Sequence, residues 1–232
     1  MYKVGIIGAM DEEVRALKEK METPKVQEMA GLEFVMGKLA KMSVVVVQCG
    51  IGKVNAALCT QILIDQFHVE AIINIGVAGA LYPGLEIGDI VISSDAMYHD
   101  FDASAFGDPI GAIPRMKESI FQADSKLIHL AKEAGERIKT VHNVYVARIV
   151  SGDQFISDKQ KKDWIWRQFG AYCTEMEGAA IAHVCYVNKV PFVVIRSISD
   201  GADQSAEMNF NQFVQLAAKN SSALIEQMLQ YV

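Results

Sequence analysis

Short, β-branched apolar runs recur along this chain, each followed by a glycine-rich or polar break and then by residues at helical spacing, the pattern of strands alternating with helices. Residues 3–7 (KVGII) predict a buried first strand. Gly8, Ala9 and Met10 then turn into a helix opening on Asp11, Glu12 and Glu13, where acidic side chains suit the positive end of the helix dipole. Three in succession exceed that electrostatic need, so Glu13 is taken as the one that faces a site at the strand's end. Residues 31–37 and 42–48 (MSVVVVQ) predict two more strands, and the turn at Gly50 and Gly52 leads into a helix reaching about Phe67. Residues 70–75 (EAIINI) predict another buried strand, with Gly76, Val77, Ala78, Gly79 and Ala80 forming a small-residue bend behind it. Strands are also expected at 88–93 and 145–150, and amphipathic helices at 123–139 and 209–229.

One stretch, 174–203, sets more polar residues beside apolar sequence than any other. Glu175, Met176 and Glu177 are expected to open a helix whose small face, Ala179, Ala180, Ala182, Val184 and Cys185, packs on a sheet, with Lys189 and Pro191 ending it. Residues 192–195 (FVVI) read as a strand buried on both faces. Arg196, Ser197, Ser199 and Asp200 should then lie just beyond its carboxyl end, where ligands collect in open α/β sheets. An Arg196–Asp200 pair that merely closes the strand end is the structural alternative. The alternation as a whole predicts a single α/β domain over 1–232 with eight or nine strands and six helices.

Composition narrows the function. With 232 residues, 51% of them hydrophobic, the chain can bury one large core. A net charge of −6 with no basic cluster argues against nucleic acid and against anionic membranes as partners, leaving a small molecule. Cys49, Cys59, Cys173 and Cys185 lie in apolar settings without CxxC or CxxH spacing, which predicts buried thiols in a reducing compartment. No apolar run approaches the roughly 18 residues of a membrane span, so the expected location is the cytoplasm. The glycines near Gly8 lack the GxGxxG order of a dinucleotide site. Around Lys53, Val47 and Val54 occupy the positions where a phosphate-binding P-loop needs Gly and Ser or Thr. His99, Asp100 and Asp102 are adjacent rather than spaced along one face, so no metal and no cofactor is expected. Phe155, beside Gly152 at a strand end, either stacks on a planar ligand or fills the core. Pro109, Gly111 and Pro114 mark an irregular loop that orders against a ligand or a second subunit.

Glu13, the 76–79 bend, Glu175 with Glu177, and Arg196 with Asp200 all fall at strand ends or helix starts that a parallel-rich sheet would gather. Several carboxylates around an apolar pocket suit acid/base cleavage through a cationic transition state, as in glycoside hydrolysis.

Beyond that chemistry, the segments GIIGAMDEEV, GIGKVNAA, INIGVAGAL, GDIVIS with YHDFDASAFG, SGDQFI, EMEGAAIAHVC and VPFVVIRSISDGAD follow the order and spacing of a known family. The chain resembles, over its whole length, the 5′-methylthioadenosine/S-adenosylhomocysteine nucleosidases of the purine nucleoside phosphorylase and uridine phosphorylase superfamily. The resemblance implies a three-layer α/β/α fold with a mixed, mostly parallel twisted sheet. It also implies a homodimer that hydrolyses N-glycosidic bonds to release adenine, without cofactor or metal. By the same resemblance Asp200 serves adenine N7 with a proton, Glu13 activates the attacking water with Arg196 nearby, and Glu177 grips the ribose hydroxyls. Met176 lies under the ribose, Phe155 stacks on adenine and the backbone of Ile156 reads the base edge. Val77, Ala78, Gly79, Glu175 and Ser199 complete the substrate contacts, while Met10, Ile51 and Phe210 line the 5′ side. Ala103, Phe106 and Pro114 match positions that a neighbouring subunit contributes. Val77 stands where many members carry Ser, and Ala103 where Val is usual, which widens the 5′ pocket.

Overall fold

The computed structural model describes residues 3–203 and 206–231. Among them, one mixed ten-stranded sheet carries six α-helices. The strands are β1 Lys3–Gly8, β2 Glu22–Met29, β3 Leu32–Leu39, β4 Met42–Gln48, β5 Ala71–Ala80, β6 Ile90–Tyr98, β7 Phe121–Gln122, β8 Val144–Ser151, β9 Cys173–Glu175 and β10 Phe192–Asp200. The helices are α1 Asp11–Glu19, α2 Lys53–Phe67, α3 Ser125–Glu136, α4 Lys159–Phe169, α5 Gly178–Asn188 and α6 Ala206–Met228. The chain's two ends, which the predicted 1–232 span includes, lie outside the described residues.

Helices cover both faces, as the three-layer expectation requires. On one face α1, α3 and α6 bury Val14, Leu17, Leu127, Ala131, Leu224 and Ile225 against the sheet. On the other, α2 and α5 bury Ala56, Leu63, Ala179, Ala180 and Ala182, the alanines allowing α5 to lie close to the strands. The sheet does more than lie flat between these layers. β5, β10, β6, β8 and β9 pair in a closed circuit, from which β1, β4, β3 and β2 extend as a wing. β1, β5 and β10 run parallel, so their carboxyl ends point the same way, with β1 stopping level with the middle of β5. β9 runs opposite to β5 and pairs Thr174 with Gly79, which delivers residues 175–177 to the same place.

Three expectations need correction here. The small-residue segment 76–80 is no bend, because β5 continues through Ala80 with every residue buried. Likewise β10 does not stop at Ile195: Arg196, Ser197, Ser199 and Asp200 are all buried inside it. Both strands are prolonged because the closed circuit supplies partners beyond the point where an open sheet would end. A bulge between Ile198 and Asp200 then re-aims the end of β10. Helix α5 also begins later than expected, at Gly178, with Glu175 still in β9 and Glu177 at the helix's N-cap. β2, with charged residues and exposure along nearly its whole length, gave no strand signal; it is the sheet's outer edge, where charge discourages pairing with another chain.

Candidate active site

The three acidic residues that open α1 have different fates. Asp11 pairs with Arg15 on the surface, whereas Glu13 turns back into the protein and is only 3% exposed. Its Oε2 accepts from the backbone N–H groups of Ala9 at 2.6 Å and Met10 at 3.0 Å, and its Oε1 from that of Val77 at 3.0 Å. Glu13 thus ties the end of β1 to the middle of β5. Burial pushes its pKa up, against the opposing pull of Arg196 and these backbone donors.

Asp200 sits at the end of β10. Its Oδ1 accepts from Ala202 N at 2.8 Å and its Oδ2 from the Ser199 hydroxyl at 2.9 Å. Desolvation raises its pKa as well. Glu177, at the start of α5, reaches across to the first turn of α2, where Oε1 accepts from Gly52 N at 2.8 Å. Its pKa rises from 4.5 to about 8, first because it is buried and then because Glu175 stands nearby.

Beneath these three lies a fourth buried carboxylate with a different role. Glu175 accepts from the Ser151 hydroxyl, from the Glu177 N–H at 3.1 Å and from the Gly178 N–H at 2.8 Å, and it forms an ion pair with Arg196. Arg196 is 2% exposed and also donates to Asn74 Oδ1 at 2.6 Å and to its own strand's Ile195 carbonyl at 3.1 Å. The pairing of Arg196 with Asp200, the structural alternative read from the sequence, is therefore replaced by a pairing with Glu175.

Glu13, Glu177 and Asp200, distant in sequence, line one cavity with an empty volume of about 610 Å³ including its open mouth. Val77, Ala78 and Gly79 form one wall, Met176, Glu175 and Ser199 another, and Met10, Ile51, Phe155, Ile156 and Phe210 the apolar rim. Phe155 meets Phe210 edge to face, with ring centroids 5.9 Å apart, and stays 48% exposed, so it is a wall of the cavity and not core filling. Among the described residues no lysine or arginine lines this cavity.

Four predicted site residues lie elsewhere. Arg196 is under the floor, turned to Glu175 and Asn74, which makes it a positioning group here. Ala103 is buried and Pro114 half-buried away from the cavity, while Phe106 projects outward at 90% exposure. Conversely, Ala9, Gln154 and Thr174 line the cavity without having been singled out, and Ser151 and Asn74 brace it from behind. Gln154 neighbours Phe155, and Asn74 is a lone amide inside an apolar strand run; the latter was a readable signal, because a buried amide needs partners.

The glycines of β5 now have a physical explanation. A Cβ at Gly76 would stand 2.5 Å from Glu13 Oε1, and one at Gly79 would stand 2.9 Å from Asp200 Oδ1. The strand carries no side chain where the two carboxylates rest on it.

Residues 3–230 match the phosphorylase superfamily. The chain is 43% identical over 224 residues, 96% of its length and 95% of the relative's, to a 5′-methylthioadenosine/S-adenosylhomocysteine nucleosidase of an Exiguobacterium strain. In structure it is similar to the Colwellia psychrerythraea nucleosidase of that name in complex with adenine, with TM-score 0.94, 43% identity and coverage of 99% and 96% of the two chains. It is also similar to the futalosine hydrolase of Helicobacter pylori, with TM-score 0.94, 34% identity and coverage of 100% and 98%.

Two measurements follow from this geometry. Gly76→Ala should drive Glu13 off its backbone donors, and leaving a buried polar group unsatisfied costs about 1–3 kcal/mol of stability; an unchanged unfolding midpoint in Gly76→Ala would contradict the close approach. Because the folded pKa of Glu177 lies above its ordinary 4.5, at about 8, the native state holds a proton that the unfolded chain has lost between those values. Stability contributed by the protonated form is present in full below pH 4.5 and lost as pH rises to about 8. Glu177→Gln, which has no proton to lose, should gain in thermal midpoint relative to the native protein over that window, read by calorimetry at a series of pH values.

Proposed function

The chain belongs to the phosphorylase superfamily, and from that membership we propose that it is a nucleosidase. It hydrolyses the N-glycosidic bond of 5′-methylthioadenosine and S-adenosylhomocysteine, and of 5′-deoxyadenosine, to adenine and the 5-substituted ribose. The observation that carries this is the convergence of Glu13, Glu177 and Asp200 on one cavity with an apolar rim. Glu13 and Asp200 rest on the same strand, β5, at Gly76 and Gly79.

In this reading Asp200 donates its proton to adenine N7, making the base a neutral leaving group, and its burial favours the protonated carboxyl by raising its pKa. Ser199 holds the carboxyl in place from one side and Ala202 N–H from the other. Glu13 takes a proton from the attacking water. Glu177 accepts from the ribose hydroxyls, and its ionised form, which a cationic sugar favours against the burial that raises its pKa to about 8, stabilises the oxocarbenium-like ring. Met176 packs under the ribose, Phe155 stacks on the base, and Ile156 presents its backbone to the base edge. Water rather than phosphate is the nucleophile, because a phosphate clamp needs cations. The buried Arg196 is already committed to Glu175 and Asn74, and the place beside β1 is held by the anionic Glu13.

A second copy of this chain completes the 5′ side, with Ala103, Phe106 and Pro114 coming from the neighbour. Exposed apolar side chains support this, Phe106 at 90%, Val54 at 79% and Ile51 at 55%. The location we assign is the cytoplasm, in keeping with four unbridged, buried cysteines.

Purified protein should release adenine from methylthioadenosine at a rate independent of added phosphate, with no ribose-1-phosphate formed. Glu13→Gln and Asp200→Asn should each lower kcat by roughly 10²-fold or more while folding normally. Activity needs Glu13 ionised and Asp200 protonated. Both pKa values are raised, so the acid limb of the rate profile should lie above the range of an ordinary glutamate and the alkaline limb above that of an ordinary aspartate. Phosphate dependence, or full activity in both variants, would refute the assignment. Comparing kcat/KM for methylthioadenosine, S-adenosylhomocysteine, 5′-deoxyadenosine and aminofutalosine ranks the substrates.

A further inference from the structure

Outside the cavity, a cluster of charged side chains gathers at the start of α2. Two successive backbone N–H groups there go to two different carboxylates: Gly52 N donates to Glu177 at 2.8 Å, and Lys53 N donates to Asp153 Oδ1 at 2.9 Å. The Lys53 ammonium lies 2.6 Å from Asp100 and 3.7 Å from Asp153. Asp153 closes the ring by donating its own backbone N–H to Asp100 Oδ2 at 2.9 Å. Gly52 is held at φ 99°, and a Cβ there would stand 3.1 Å from Asp153 Oδ1, so the carboxylate is seated against bare backbone.

None of Lys53, Asp100 and Asp153 lines the cavity, but Asp153 adjoins Gln154, Lys53 stands two residues after Ile51, and Asp100 is bonded to both Lys53 and Asp153. Ile51 precedes Gly52; Gln154, Phe155 and Ile156 follow Asp153; and Glu177 shares the helix end. Lys53 and Asp100 are 24% and 12% exposed, so their pair is shielded, whereas Asp153, at 48%, is the wetter member. Without Lys53, two carboxylates would be left side by side.

We propose that Lys53, Asp100 and Asp153 act as a latch that fixes the height of the base-stacking segment 154–156 above Glu177, and thereby sets affinity for the purine. These are positioning residues, since none touches the reacting atoms. The kinetic part rests on the nucleosidase reading; the binding part does not.

The test titrates adenine calorimetrically and measures methylthioadenosine kinetics in the same preparations. Loss of a charge-assisted hydrogen bond should raise the adenine Kd and the KM about tenfold in Asp153→Ala, with kcat within about threefold of the native value. Asp153→Asn keeps an oxygen for Lys53 N–H and should restore most of the affinity, as a merely space-filling role would not require. Lys53→Met should weaken adenine to a similar degree, and the Lys53→Met/Asp153→Ala double variant should bind no worse than either alone, because the three act as one unit. Native adenine affinity in Asp153→Ala, with or without a lowered unfolding midpoint, overturns the latch. So do losses that multiply in the double variant, and so does a fall in kcat at unchanged KM. A native protein that binds adenine but releases none from methylthioadenosine refutes the hydrolysis and leaves the latch to be decided by the binding data.

Discussion

The site depends on one buried cation facing three carboxylates. Arg196 is desolvated within β10, paired with Glu175, and close enough to Glu13 and Glu177 for all three to stabilise its charge. An isolated guanidinium at that depth would carry a desolvation penalty of several kcal/mol. Glu175 offsets it by direct pairing, with Asn74 and the Ile195 carbonyl taking further N–H groups. The pair is then spent on structure, leaving Glu13 and Glu177 short of positive charge. Their raised pKa values follow first from burial; Arg196 opposes the rise at both, and the nearby Glu175 adds to it at Glu177.

The closed circuit of strands is what allows so much charge to be buried at all. In an open sheet the polar end of β10 would project past the last hydrogen-bonded neighbour. Here β5 and β6 flank it, and β9 pairs with the end of β5, so backbone donors are supplied from several directions. Glu13 collects three of them, and Glu175 two. Each fixes a carboxylate oxygen without introducing a side chain that would occupy the cavity. Gly76 and Gly79 extend the same economy, since the strand is bare where it meets the carboxylates.

Legibility in the sequence divides along physical lines. Elements decided by local pattern were readable: the KVGII and VVVV runs, the helix ending at Phe67, and Glu13 as the odd acid in a triplet. What failed was the reading of strand ends. Glycines at 76 and 79 and polar residues from 196 to 200 look like breaks when the only rule is that buried strands are apolar. They are strand residues because a partner far away in sequence makes them so, and no local window contains Glu13 or Glu175. For the same reason the partner of Arg196 stays open in the sequence: Asp200 is four residues away, while Glu175 arrives from another strand. The family resemblance supplied the convergence of these groups, which periodicity alone could only make plausible.

The two ends of the cavity are built to different standards, and this bears on what the proposed reaction can discriminate. The base and ribose end is made of strand-borne backbone and buried acids, each held by two or more hydrogen bonds except Glu177, which leans on the start of α2. Groups fixed in this way reject a base that cannot match them, because a mismatch strands a buried polar atom. The 5′ end is made of Met10, Ile51 and Phe210 around an open mouth, side chains that are half-buried or exposed and contribute only apolar contact. Apolar contact separates ligands by one methylene group at a time, worth about 1–3 kcal/mol each. A methylthio and a homocysteinyl group can therefore share the same mouth, while the purine beneath them is read strictly.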